Sequence, residues 1–365
     1  MDMSAAQETE FASEGSGDVN VVLAMAFASC LAWANAANDI ANSVGTAVGA
    51  GAVSLRTALI IGSISEFAGC VLMGGEVAKT IGKGVVHAEQ YSANHDFYAI
   101  AMTAVLAGAG ISTMLATLFG LPVSATHGTI SGLVAVAIFE RGSAAIDGST
   151  LAFTIFGWVA SPLIGMMAAG LLSLWIEAQI FAKPDPHRAA QQMRPTLAAG
   201  TVGLVVSFLC MKGPKWLRMP WWAALIVACI AAGIIAVALK TRARTATTPD
   251  GLENGVTSLL GSLYGDNDAA VTATDGSAGA GSAGFTMEQS DEKHLKAEVL
   301  FTQLLVLTGC TVAFAHGGND VGNSIGPLMG ALQGSAQTSF VTRMQSPTLL
   351  SVCGGVLFVP YSGWI

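Results

Sequence analysis

The chain has 365 residues, of which 52% are hydrophobic and only 11% charged, and its mean hydropathy is +0.59. A soluble domain carries roughly 25% charged residues, so this chain is too apolar to cover itself with a wettable surface and belongs in a bilayer. Its net charge of −8 is concentrated in two polar stretches, with five of the 24 acidic residues between Met1 and Asp18 and nine between Thr245 and Glu298; no basic face supports nucleic-acid binding.

The first 18 residues are acidic, whereas a cleavable signal begins basic. They read as a tail, 1–18, ahead of a permanent span. Apolar runs near the roughly 20 residues of a crossing follow at 19–37, 55–77 and 97–119. A shorter run, 128–140, comes after Pro122 to His127, and then 151–178, 197–211, 221–239, 297–315 and 348–365. The runs 128–140 and 197–211 are short for a crossing and read as tilted, re-entrant or half-helical segments. The expected organisation is a first transmembrane repeat over 19–182, further transmembrane helices over 183–239, a linker over 240–296, and over 297–365 the start of a second repeat that is incomplete at Ile365.

The linker is rich in Gly, Ser, Ala, Thr and Asp and includes the low-complexity run Gly276 to Gly284. It has too little apolar surface to offset its ordering entropy and reads as flexible. Lys183, Arg188, Arg194, Lys240, Arg242 and Arg244 fall on its side of the membrane, against Lys212, Lys215 and Arg218 on the other, which places the linker in the cytoplasm. The six cysteines sit singly in apolar runs, none in a CxxC pair, and read as small buried hydrophobes.

An internal repeat carries the chemistry. Ala34-Asn-Ala-Ala-Asn38-Asp39-Ile-Ala-Asn42-Ser43-Val-Gly45 through Ala50 recurs 281 residues later as Ala315-His-Gly-Gly-Asn319-Asp320-Val-Gly-Asn323-Ser324-Ile-Gly326 through Ala331, with eight of 17 positions identical. Each copy follows an apolar run and so places a carboxylate and two amides inside the membrane. An Asp at the centre of a spanning helix costs roughly 2.5–3.5 kcal/mol on insertion scales, so such a group faces a cavity, an ion or a partner. The glycines allow close packing and also helix breaks. A broken helix offers N–H groups to an anion at one new end and C=O groups to a cation at the other. Paired discontinuous helices at these motifs are therefore expected.

A third element, Gly120-Leu-Pro122-Val-Ser124-Ala-Thr126-His127, would start a half-helix whose N–H groups and hydroxyls suit an anion. His127 by itself reads as an interior histidine. Glu66, midway along 55–77, is an intramembrane carboxylate and hence a candidate functional residue.

Together, Asn38-Asp39-Ile-Ala-Asn42-Ser43, Glu66-Phe-Ala-Gly69, Pro122-Val-Ser124-Ala-Thr126-His127 and Gly318-Asn319-Asp320-Val-Gly-Asn323-Ser324 resemble the inorganic phosphate transporter family of sodium- or proton-coupled phosphate symporters. That family repeats the Pro-Val-Ser-x-Thr-His element in its second half, and no second copy occurs before Ile365, which reads as C-terminal truncation. The resemblance implies an all-α, polytopic transmembrane bundle of two related repeats. It implies that Asp39 and Asp320 hold the coupling cation, Na+ or H+, with Asn42 and Asn323 assisting and Glu66 contributing to coupling. Ser43, Ser124, Thr126, Ser324, Asn38 and Asn319 would attend the phosphate. Beyond the coupling ion no cofactor is implied; the expected partners are phosphate, the bilayer and a second copy of the chain, and the expected location is the plasma membrane. Transport of another tetrahedral oxyanion such as sulfate, and a scaffold or receptor without transport, are the alternatives. No nucleophile–base or metal-ligand arrangement supports an enzyme.

Overall fold

The computed structural model describes residues 3–84, 95–214, 216–245 and 297–334, and their regular structure is helical throughout. The helices are α1 (Met3–Gly49), α2 (Leu55–Gly84), α3 (His95–Leu118), α4 (Ala125–Arg141), α5 (Gly148–Ile176, continued by a π-helical turn over Glu177–Phe181), α6 (Pro186–Lys212), α7 (Trp221–Thr245) and α8 (Thr302–Gly334). Seven segments are long and apolar enough to cross a bilayer, and α4, with 17 residues, is not among them. At 1.5 Å per residue α4 reaches about 26 Å, short of the roughly 30 Å hydrocarbon core. The chain is thus a multi-pass, all-α membrane protein, and among the described residues α4 is a helix somewhat short of a full crossing.

Local chemistry moves several expected boundaries. The acidic 1–18 stretch is not a separate tail in its backbone, because α1 is helical from Met3. The short run at 197–211 is only the apolar part of a full-length helix. Asp185 caps α6 by accepting from the Arg188 N–H, and Pro186 occupies the first turn, so the helix starts in the polar stretch. Helix α7 runs to Thr245, past the expected start of the linker at Lys240. The remainder of that linker and the run 348–365 lie outside the described residues.

The helices do not break at the Asn-Asp motifs. Helix α1 is continuous through Asn38-Asp39 and α8 through Asn319-Asp320. None of Gly45, Gly49, Gly317 and Gly318 has a positive φ, and Asn38, Asp39, Asn42, Asp320 and Asn323 find partners that leave the backbone ladder intact. The discontinuity lies instead between α3 and α4. Here Gly120 has φ 66° and Pro122 lacks an N–H, so the helix cannot continue.

The most extensive pairing is α2 with α8, followed by α1 with α3 and α6 with α7. Glycine sets the α2–α8 distance: a Cβ on Gly69 would overlap the Phe314 carbonyl, and one on Gly317 would overlap that of Glu66. Around this crossing Leu31, Met102, Leu106, Val321 and Leu332 form a closed apolar core. Helix α5 has no buried residue. Its Phe153, Phe156, Leu171 and Leu174 are exposed, as lipid-facing side chains are.

Candidate functional site

The α2–α8 crossing brings three carboxylates to one imidazole. His316, on α8, has its Nδ1 2.9 Å from Glu66 Oε1 on α2. Its Nε2 lies 3.0 Å from Asp320 Oδ2, one turn along the same helix, and 3.3 Å from Asp39 Oδ2 on α1. The Glu66 side chain is fully buried, that of His316 is 12% exposed, and those of Asp39 and Asp320 are 17% and 25% exposed. The cluster therefore opens on the side of the two aspartates. Carboxylates only accept, so with acids at both ring nitrogens each nitrogen carries a proton unless one carboxyl does. Asn42 Nδ2 donates to Asp39 Oδ1 at 2.8 Å and fixes its rotamer, and the Cys70 thiol donates to the Gly317 carbonyl at 3.2 Å beside Glu66.

Ligand atoms of Asp39, His316 and Asp320 all lie within 4.8 Å of one another, a separation that suits a shared cation. A hard cation prefers the carboxylate oxygens to the imidazole nitrogen.

The α3–α4 break lies beside this cluster, and amides from both Asn-Asp helices touch it. Asn38 Nδ2 donates to Thr117 Oγ1 and to the Leu121 carbonyl, each at 3.0 Å, while its Oδ1 accepts from the Val123 N–H at 3.0 Å. From α8, Asn323 Nδ2 donates to Thr126 Oγ1 at 3.0 Å. Ser124 caps α4, its Oγ accepting from the His127 N–H. The N–H groups of Ala125 and Thr126 have no acceptor among the described residues. An uncharged helix start with two free N–H groups and two hydroxyls is a fitting cradle for an oxyanion.

Not every expected site residue reaches these two centres. Ser324 is buried, and its hydroxyl donates back to the Val321 carbonyl of its own helix. Ser43 is buried where Gly309 of α8 comes against its carbonyl. Asn319 is exposed. The His127 ring is not interior: the residue is exposed, and its ring packs on Trp158 of α5 with centroids 4.0 Å apart. Sequence reasoning missed His316 as a site residue. Two signals pointed to it: an intramembrane histidine is a functional candidate by default, and four residues before Asp320 it shares that residue's helix face.

A sequence profile of the phosphate transporter family matches residues 35–359. The chain belongs to this family. A putative phosphate permease of Chlamydia muridarum is 31% identical over 290 residues, covering 80% of this chain and 64% of that protein. The inorganic phosphate transporter 2-1, chloroplastic, of Arabidopsis thaliana is 30% identical over 80% of this chain and 46% of its own length. The sodium-dependent phosphate transporter 1 of Rattus norvegicus is 31% identical over 52% of this chain and 28% of its own. The chain thus spans less than two thirds of the length of these curated relatives. A solved sodium-dependent phosphate transporter shares the fold, with a TM-score of 0.71 over 94% of this chain and 76% of that one at 23% identity. In this family frame, the uninterrupted α1 and α8 carry the paired acids and the broken α3–α4 unit presents the helix start.

Proposed function

We propose that this protein carries inorganic phosphate across a membrane in symport with a cation, sodium in the first instance. Asp39 and Asp320 hold the cation, assisted by Asn42, and Glu66 acts through His316. Thr126, Ser124 and the free N–H groups of Ala125 and Thr126 receive the phosphate, with Asn319 as an outer member of the set. The observation that carries this reading is the pairing of two centres of opposite preference. An open carboxylate pair lies beside a helix N-terminus, and Asn38 and Asn323 reach that helix start from the two acid-bearing helices.

The electrostatics explain why neither ion enters alone. Phosphate next to an uncompensated carboxylate meets a repulsion of about 4 kcal/mol at ~4 Å and an effective dielectric of ~20. A cation between Asp39 and Asp320 cancels that repulsion, and the phosphate in turn offsets the cation's charge, so each raises the other's affinity. We place the segment 240–296 on the cytoplasmic side, on the distribution of basic residues around α6 and α7, and take the plasma membrane as the host bilayer.

The test is uptake of labelled phosphate into proteoliposomes under an inward sodium gradient, with lithium, a proton gradient and unlabelled sulfate as parallel arms. Sodium-stimulated uptake that is lost in Asp39→Asn, with membrane insertion intact, is the expected result. Undiminished uptake by Asp39→Asn removes the carboxylate from the mechanism. Full competition by sulfate reassigns the substrate, and uptake driven by protons alone reassigns the coupling ion.

A further inference from the structure

The two amides at the α3–α4 break differ in a way that gives each a task. Asn38 has both ends engaged: its Nδ2 serves Thr117 Oγ1 and the Leu121 carbonyl, and its Oδ1 takes the Val123 N–H. These bonds span the residues from the last turn of α3 to the residue before the α4 cap, and they come from the neighbour of Asp39 in sequence. Asn323 is half engaged. Its Nδ2 holds Thr126 Oγ1, but its Oδ1 is buried, with the residue 1% exposed, and has no partner among the described residues. A buried, unsatisfied amide oxygen is costly and implies a water there in the loaded protein. The two are not equivalent in the repeat: Asn38 aligns with Asn319 and Asn323 with Asn42. Between them they tie the helix of each aspartate to the opening turn of α4.

We propose that Asn38 and Asn323 are positioning residues that couple the cation to the phosphate: they transmit occupancy at Asp39 and Asp320 to the geometry of the α4 N-terminus. This rests on the reading of the two centres given above. Asn38 moves with Asp39 on one rigid helix, so closure of the two acids on a cation draws the Val123 N–H and the α4 cap with it. Asn323 acts through its own amide plane: a water of the bound cation reaching Oδ1 orients the same group whose Nδ2 sets the Thr126 hydroxyl. The two centres then communicate through these hydrogen bonds, without any break in α1 or α8.

The experiment measures phosphate affinity with and without sodium, and sodium affinity with and without phosphate, on the intact protein in nanodiscs. Linkage requires the two ratios to be equal. In the parent protein the ratio falls within about 5–150-fold, the usual span of such couplings. Asn38→Ala and Asn323→Ala are expected to bring both ratios down to about 2-fold or less, while sodium affinity without phosphate stays near the parent value. Folding is monitored by monodispersity and thermal melting. Should Asn38→Ala fail to fold, Thr117 decides for that side of the link. Thr117→Val, which deprives Asn38 of one acceptor, lowers the ratio in part, and Thr117→Ser, which keeps the hydroxyl, restores it.

Variants that retain the parent ratio overturn this inference alone. Loss of sodium affinity in the absence of phosphate also overturns it, by making the amides ligands. A parent protein whose phosphate affinity ignores sodium and every other cation overturns the reading of the site itself.

Discussion

Two groups of helices in this molecule use nearly the same apolar alphabet in opposite ways. Helices α1, α2, α3, α4 and α8 pack on one another through small residues and enclose Glu66, Asn35, Thr129, Asn323 and Ser324, all buried. Helices α5 and α7 carry their large side chains outward, and α5 buries nothing. In water the apolar side would be the inside. Within a bilayer lipid takes that side, and the interior is left to close backbone packing and polar partners. Hydropathy therefore recognises both groups equally and ranks neither; burial of polar atoms is what separates the working bundle from the lipid-facing helices. That division can be tested by substitutions running from the centre of the packed group to the edge of the other.

The largest effect is expected at His316. Its replacement by Asn, the residue at the aligned position of the first copy, Asn35, leaves a fully buried Glu66 and two aspartates without their shared partner. Removing one member of a buried ion pair destabilises by about 3–5 kcal/mol. His316→Asn should therefore melt well below the parent protein in detergent and transport phosphate at background level. Glu66→Gln keeps a hydrogen-bonding partner for Nδ1 without the charge, so it should fold better than His316→Asn while altering the dependence of uptake on cation concentration. Parent-like uptake in both would mean that the buried cluster is scaffolding and that polar burial does not mark function here.

A smaller effect separates two glycines. At Gly317 a Cβ would meet the Glu66 carbonyl, whereas at Gly157 of α5 it would meet nothing within 4 Å. Overpacking of this kind costs about 1–3 kcal/mol, while a change on an open surface stays within about 0.5 kcal/mol. Gly317→Ala should lower the melting temperature and, by separating α2 from α8, reduce uptake together with the His316–Glu66 contact. Gly157→Ala should do neither. Equal behaviour of the two would show that α5 is packed against something in the membrane and belongs with the first group.

These contrasts also show which parts of the molecule its sequence discloses. Spans such as Leu55–Gly75 and Phe97–Leu118 are legible because length and apolarity alone define a crossing. The continuity of α1 through Asn38-Asp39-Ile-Ala-Asn42-Ser43 is not, because Asn, Ser and Gly are helix-weakening in water and only tertiary partners reverse that preference. The start of the short helix α4 is legible from Pro122 and Ser124, whose backbone chemistry is local. The imidazole cluster is legible only in part. Asp320 lies four residues from His316, but Glu66 and Asp39 lie 250 and 277 residues away, and the fold alone brings them together. The same holds for Asn38, whose amide looks like a ligand in the motif and is engaged across the α3–α4 break in the structure.

The smallest expected effect lies at the start of α5, outside its spanning segment. Asp147 caps that helix, its Oδ1 accepting from the Ser149 and Thr150 N–H groups at 3.0 Å. The Ser149 hydroxyl foremost, with the Thr150 and Ser149 amides, holds the Asp147 carboxyl down at about 2. A carboxyl whose folded pKa is depressed stabilises the fold at every pH above its ordinary value of about 3.9 and ceases to do so as pH falls through about 2. Asp147→Ala should therefore lower the melting temperature slightly, and by the same amount at about pH 5 and about pH 8, with the difference closing only in strong acid. Asp147→Asn, an equally good cap, should recover the loss at neutral pH. Phosphate uptake should be unchanged in both, because the Trp158–His127 stack, by which α5 touches the helix start, lies three turns further on. A change in the sodium dependence of uptake on substituting so exposed a cap would mean that α5 moves with α4 during transport, and the boundary between the two groups would then have to be redrawn to place α5 on the working side.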